Sequence, residues 1–365
     1  MKPLWAMLWM AALLGLQPLA ASAAPAWLTA TPVSGKYAVA FSLNDAGQYA
    51  VNNFGPEIPY QFASIGGGPE PENIGSLGGS ISTIAALNNK GQAVGASTTS
   101  EGAMHAFFYS SGRMRDLSAA YGIERAAALN DRGDVTGQAP GERAMVIRNG
   151  RAEVFGPQNS VAGEINESGD ILVEYFPQGQ GSRTAVYRAG ELSDLPTLGG
   201  DHVLGGALNE AGWVSGYGST ADGRLHAWLY DGKTMTDLTP LAANATALDL
   251  NDLGQVVGSM DNRAFLYAGG QLVDLNRFVD PAADLLLTAA SDINNEGQIL
   301  ARSCDRAGVF CYGTMLLEAV PPVPELPQLP MLATALGLFA LHRLRARADI
   351  MPPWRHRHSR CIMSI

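Results

Sequence analysis

This sequence predicts an all-β fold built as a ring of seven four-stranded units, on three observations. An apolar residue, Asn, two further residues and Gly recur seven times, with the asparagines at Asn44, Asn88, Asn130, Asn166, Asn209, Asn251 and Asn294. Their spacings of 44, 42, 36, 43, 42 and 43 residues lie in the range that marks a repeat architecture. Glycine is abundant, 42 of 365 residues, while charged residues make up only 16%, a balance that suits short strands and tight turns rather than long solvated helices. Each period, finally, divides into four strand-like runs separated by turn residues.

In chain order, residues 1–23 read as a secretory signal peptide. Lys2 supplies the positive n-region, 4–16 are apolar, and Ala21-Ser22-Ala23 fits the small-residue rule for cleavage after Ala23. A membrane anchor is the alternative, and the shortness of the apolar run argues against it. The repeat body is assigned to 24–320. Its extended segment 27–33 precedes the first copy and is a strand without a repeat of its own.

The fifth copy, 202–238, shows the unit most plainly: strands at 203–208, 213–217, 225–230 and 234–238, with Asn209-Glu210-Ala211-Gly212 and Asp231-Gly232 as turns. The Gly of the Asn turn can take positive φ, and the Asn side chain can bond the local backbone. Four strands in about 42 residues is one blade of a β-propeller, and a ring of blades buries the faces that one blade alone exposes. An open β-solenoid is the rival architecture. Against it, the seventh copy has strands at 298–301 and 314–319 but meets Pro321 and Pro322 before a fourth, and 27–33 can supply that strand and seal the ring.

The phrases LPTLGGDHVLGGALN, HAFFY, HAWLY and MTDL resemble the HAF-repeat proteins, named for a His-Ala-Phe triplet and often called probable extracellular repeat proteins. The resemblance covers 37–317. The triplet is complete at His105-Ala106-Phe107 and becomes Arg143-Ala144-Met145, His226-Ala227-Trp228 and Arg263-Ala264-Phe265 elsewhere. It implies an exported, propeller-like scaffold and no particular activity.

After the repeats, Val323-Pro324-Glu325, an apolar run and then Arg343, Arg345 and Arg347 resemble the PEP-CTERM sorting tail of Gram-negative bacteria that make exopolysaccharide. Leu326 stands where that motif has a proline. The resemblance implies an exosortase-type processing protease as partner, an inner-membrane intermediate, a final place at the cell surface or outside it, and possible contact with extracellular polysaccharide. The expected division is a Pro-rich sorting segment at 321–328, a short transmembrane helix with its basic stop at 329–348, and a cytoplasmic, disordered tail at 349–365. The three arginines would hold the cytoplasmic side by the positive-inside rule. An amphiphilic tail lying on a surface is the alternative.

Without the leader and the residues after Glu325 the chain carries 17 basic against 33 acidic side chains, a net charge near −16. A nucleic-acid partner needs the opposite sign. Cys304 and Cys311 fall on one proposed hairpin of an exported body, so a disulfide is expected, while Cys361 lies beyond the membrane run.

No catalytic, cofactor or metal site is read from the residues. The Asn-Asp-x-Gly turns carry too few oxygen ligands for a calcium loop, and Arg132-Gly133-Asp134 is one copy of the same turn. His105, His202 and His226 are the body's histidines, and the triplet imidazoles are expected to satisfy backbone groups. His356 and His358 have no partner at zinc spacing, and no nucleophile elbow, P-loop or dinucleotide fingerprint occurs. The reading is therefore a non-enzymatic scaffold or recognition protein of an extracellular polysaccharide matrix. The alternative is a propeller-fold carbohydrate hydrolase or lyase with an acid pair at the central channel.

Overall fold

The computed structural model describes residues 28–319, apart from 36, 56–60, 69, 281, 309 and 310. The expected signal peptide, the expected sorting residues Val323, Pro324 and Glu325, the expected stop residues Arg343, Arg345 and Arg347, and the expected transmembrane helix all lie outside the described residues. Among the described residues no helix is long and apolar enough to cross a membrane.

The described residues form seven antiparallel blades, at 38–73, 78–116, 125–154, 160–194, 199–237, 245–274 and 286–319. In blade 5 the strands are Gly199–Leu208, Val214–Thr220, Leu225–Tyr230 and Met235–Asp237, close to the expected runs. Blade 1 ends in a two-residue strand, Glu72–Asn73, and a single parallel bridge from Gln61 to Ile81 joins it to blade 2. Blade 7 has three strands of its own. Its fourth is Leu28–Pro32, paired antiparallel with Cys311–Ala319 from Leu28↔Ala319 to Pro32↔Met315. The expected closure of the ring by the two ends of the repeat body is thus present.

Each sheet is sandwiched between its neighbours, so both faces of its middle strands are apolar, as in Ile171–Tyr175. The HAF triplet has a packing logic. Its third residue, Phe107, Met145, Trp228 or Phe265, is no more than 2% exposed and plugs the space between two blades; Trp228 packs with Leu172, Leu195, Val203, Leu208 and Val214. Opposite the indole across the ladder sits Gly216, where a Cβ would fall 2.4 Å from Trp228 Cζ2 and 2.2 Å from the Leu204 carbonyl oxygen. The middle Ala is fully buried, leaving no room for a longer side chain.

The first residue of the triplet corrects the sequence expectation. His105 and His226 bond carboxylates rather than backbone: Nδ1 lies 2.7 Å from an Asp116 oxygen in one case and 2.7 Å from an Asp237 oxygen in the other. Arg263 Nε donates to Asp274 at the same place in blade 6, also at 2.7 Å. Each Asp ends its blade's outer strand, and its second oxygen accepts from the following turn, from Ala119 N, Thr239 N or Asn276 N. The imidazole therefore ties the third strand to the start of the inter-blade connection. The His226 side chain is 4% exposed and that of His105 31%, and a bond hidden from water is the dearer to lose. His226→Ala is expected to cost roughly 2–3 kcal/mol and His105→Ala about 1 kcal/mol or less, read as the difference in urea midpoints at constant slope.

Candidate functional site

Every first-to-second-strand turn is five residues long, from 44–48 in blade 1 to 294–298 in blade 7. All seven turns lie at one end of the axial channel, the Asn face. Their glycines have φ between 68° and 84°, the left-handed region that glycine enters without penalty. The side-chain oxygen of the Asn accepts a local N–H, as Asn251 Oδ1 does from Gln255 N.

The amide nitrogen does something the sequence does not announce. Asn44 Nδ2 donates to the Asn88 carbonyl, Asn88 to Asn130, and so on through Asn166, Asn209, Asn251 and Asn294, whose Nδ2 returns to the Asn44 carbonyl at 2.9 Å. The residue after each Asn repeats the device. Its backbone N–H donates to the side chain of the corresponding residue in the next blade, through Asp45, Asn89, Asp131, Glu167, Glu210, Asp252 and Asn295 and back to Asp45. Two closed hydrogen-bond rings therefore hold the mouth. Each Asn carbonyl also accepts from its own turn Gly, so this end is self-satisfied and structural.

Below the rings the repeat is broken. Each inner strand carries a register shift just before its Asn, and such bulges re-aim side chains. The residue two places before the Asn reads Ser42, Ala86, Ala128, Glu164, Ala207, Asp249 and Asp292. Ser42, Ala86, Glu164, Asp249 and Asp292 line an axial cavity of about 450 Å³.

Two of these departures hold the next blade: Leu87 N donates to Ser42 Oγ at 3.1 Å and Ile293 N to Asp249 Oδ2 at 2.7 Å. Asp292 accepts from the Leu43 backbone, and the Asp249 and Asp292 carboxyls bond each other. Glu164 makes no hydrogen bond or ion pair among the described residues.

Burial raises all three acids, Glu164 to about 7, with the Asp249 charge adding to the rise. Burial raises Asp249 and lifts Asp292 well above the carboxylate range, the latter also through the Asp249 charge, while backbone N–H bonds moderate both. More than a third of Glu164 is reachable by solvent, yet protein walls the lumen all round. Confined lumen water solvates an anion less well than bulk water, which sustains the rise. Proton uptake by the folded state then exceeds that by the unfolded chain between the ordinary carboxyl range and about 7. Stability contributed by these acids is therefore full below about pH 4 and falls as pH rises toward 7. Thermal midpoints should decline from pH 5 to pH 8, and Asp292→Asn should flatten that decline.

Among the described residues no three His, Cys, Asp or Glu side chains are placed to hold a metal ion. Cys304 and Cys311 form the expected disulfide, between the second and third strands of blade 7. Arg132 and Arg148 lie against Asp134 and also donate to the Glu167 and Gly169 carbonyls of blade 4, so the Arg-Gly-Asp turn is tied into the seam between blades 3 and 4. His202 sits apart from the other two histidines, on the inner strand of blade 5.

The opposite end of the channel is irregular. Its second-to-third-strand loops range from two residues in blade 6, 261–262, to seven in blade 4, 176–182. Among the described residues, eight of the nine large exposed hydrophobics lie toward this end: Tyr37, Val39, Phe54, Phe62, Met104, Val154, Phe176 and Leu241, against Leu253 at the Asn face. We call this end the loop face.

No family model matches the chain, and no curated protein matches it in sequence. Solved structures do. A Pyrococcus horikoshii acylaminoacyl peptidase superposes with a TM-score of 0.50 at 12% identity, over 74% of this chain and 50% of that one. YCF48 bound to a D1 peptide superposes with a TM-score of 0.50 at 11% identity, over 84% and 98%. TolB from Acinetobacter baumannii reaches 0.43 at 13% identity, over 78% and 65%, too remote to carry an argument. This chain spans about half the length of the peptidase. At such identities the likeness shows the fold alone, and that fold is the β-propeller.

Proposed function

We propose that this protein is an exported, surface-associated recognition scaffold of an extracellular polysaccharide matrix, engaging its ligand through the loop face. One contrast carries the reading: the Asn face repeats one five-residue turn seven times with its polar groups satisfied, whereas loop length and exposed aromatic surface vary at the other end. Repeat proteins vary their loops on the face that binds. Leu28 and Ala319 are paired at the Asn-face end of their sheet, so the chain enters and leaves the ring away from the loop face. A glycan array on the exported protein tests the role, and retention of no polysaccharide at all would end it.

The sorting tail belongs to the same proposal. Val323, Pro324 and Glu325 would be the cleavage motif and Arg343, Arg345 and Arg347 the cytoplasmic stop. Because the last strand pairing ends at Ala319, removing 326–365 should release a folded body to the periplasm or medium, with the thermal midpoint of the complete protein. An unfolded truncation would place the domain boundary elsewhere.

The rival carbohydrate hydrolase or lyase is favoured by Glu164, Asp249 and Asp292, raised acids in one cavity. Asp249 and Asp292 are hydrogen-bonded to each other and to the neighbouring blades, which leaves no gap between them for a glycosidic bond. Glycan turnover that disappears in Glu164→Gln would nevertheless establish the rival.

A further inference from the structure

We infer that the groove between blades 4 and 5 on the loop face is a subsite for a neutral pyranose of the recognised polysaccharide, an inference that rests on the matrix-binding reading above. A cavity of about 520 Å³ there is lined by Gly179, Gln180, Gly181, Arg183, Asp201 and His202. The size is that of a small-molecule site.

Three functional groups in it are unspent. His202 Nδ1 accepts from Ser182 N at 3.2 Å, with the Ser182 hydroxyl at the same distance; the ring proton therefore sits on Nε2, which is left as a donor. Arg183 uses one nitrogen, Nη1, to donate to the carbonyls of Ser182 and Asp201, and that fixes the guanidinium while its other N–H groups stay free. The Asp201 carboxylate makes no hydrogen bond among the described residues and is exposed.

The wall is built rather than incidental. The 176–182 loop is the longest of its kind in the ring, and it lies directly on the inner strand of blade 5: a Cβ on Gly181 would fall 2.0 Å from the Asp201 carbonyl oxygen. A carboxylate accepts from adjacent hydroxyls, while guanidinium and imidazole N–H groups donate to hydroxyl or ring oxygens. A charged uronate fits less well, since Asp201 shares the cavity and the body carries a net charge near −16.

The test is calorimetric titration of the full-length chain with neutral tetrasaccharides of gluco, manno and galacto configuration and with tetragalacturonate. It is repeated on Asp201→Asn and on Gln180→Ala, both changes at exposed side chains, with thermal midpoints checked to be unchanged. The expected result is binding of at least one neutral tetrasaccharide, weakened about tenfold or more by Asp201→Asn and measurably by Gln180→Ala. Binding that neither substitution alters overturns the subsite while leaving the recognition role standing. Binding of tetragalacturonate alone overturns the neutral class. No binding of any saccharide overturns the subsite together with the reading on which it rests.

Discussion

Removing residues 24–33 is expected to abolish the folded ring, although the deleted segment contains no repeat. Leu28–Pro32 is the outer strand of blade 7; without it Cys311–Ala319 becomes an exposed edge with unpaired N–H and C=O groups, a template for aggregation. Leu28 and Ala30 pack on the cluster of Leu287, Ile293, Ile299 and Leu317 that joins blades 6 and 7. Val33 N also donates to the Thr314 carbonyl, and the Ser34 hydroxyl accepts from Thr314 N. Loss on the order of 5 kcal/mol is comparable to the whole stability of an ordinary domain, so the truncated chain should be found unfolded or aggregated by circular dichroism and gel filtration.

A rescue separates closure from a general effect of shortening. Leu28 faces Ala319 antiparallel, so 28–33 grafted behind Ala319 through an Asn-Gly turn should enter the same sheet as an ordinary hairpin strand. Recovery of a cooperative melt in the graft is the expected outcome. A truncation that melts like the intact chain would remove the closure argument.

The turns, the strands and this closure are legible because they are written in local chemistry: Gly where φ must be positive, alternating and apolar runs between, and a seventh unit short of one strand. What escapes is contact across blades. Asn251 announces its local bond to Gln255 N, but its amide donates to the Asn294 carbonyl, 43 residues on, and only the spacing hints that equivalent residues meet. The triplet histidines, expected to satisfy backbone groups, bond carboxylates instead. A signal for those partners is present, since His105, His226 and Arg263 each precede an Asp by 11 residues, within the same Asp-Leu phrase. The column Ser42, Ala86, Ala128, Glu164, Ala207, Asp249, Asp292 can be aligned from sequence, yet only a closed ring brings Ser42, Ala86, Glu164, Asp249 and Asp292 to the wall of one cavity. The Arg183, Asp201 and His202 group carries no periodic mark at all, because a long loop is a departure from the period.

The mouth of the channel supplies the sharpest test of that cross-blade chemistry. Asn251 is 4% exposed; its Oδ1 accepts from Leu253 N and Gln255 N, and its Nδ2 donates to the Asn294 carbonyl at 3.0 Å and to Gln255 Oε1 at 2.7 Å. Asn251→Asp keeps the acceptor and replaces the donor by a second oxygen. The Gln255 amide can turn to donate to it, but the Asn294 carbonyl cannot, and a buried anion is left against a lone pair. A cost of roughly 3–5 kcal/mol is expected at pH 8, more than the roughly 2–3 kcal/mol for Asn251→Ala, which strands N–H groups without adding charge. The acid form restores the missing donor, so the folded state raises this carboxyl's pKa. Its destabilisation should shrink as pH falls toward about 4, where the unfolded carboxyl also binds its proton. The native channel acids move stability in the same direction, so the quantity to measure is the gap in melting temperature between the Asn251→Asp variant and the native chain, which should be wide at pH 8 and narrow at pH 4. A gap that does not depend on pH, or an Asp substitution milder than Ala at pH 8, would mean that the ring of amide bonds does not hold the mouth.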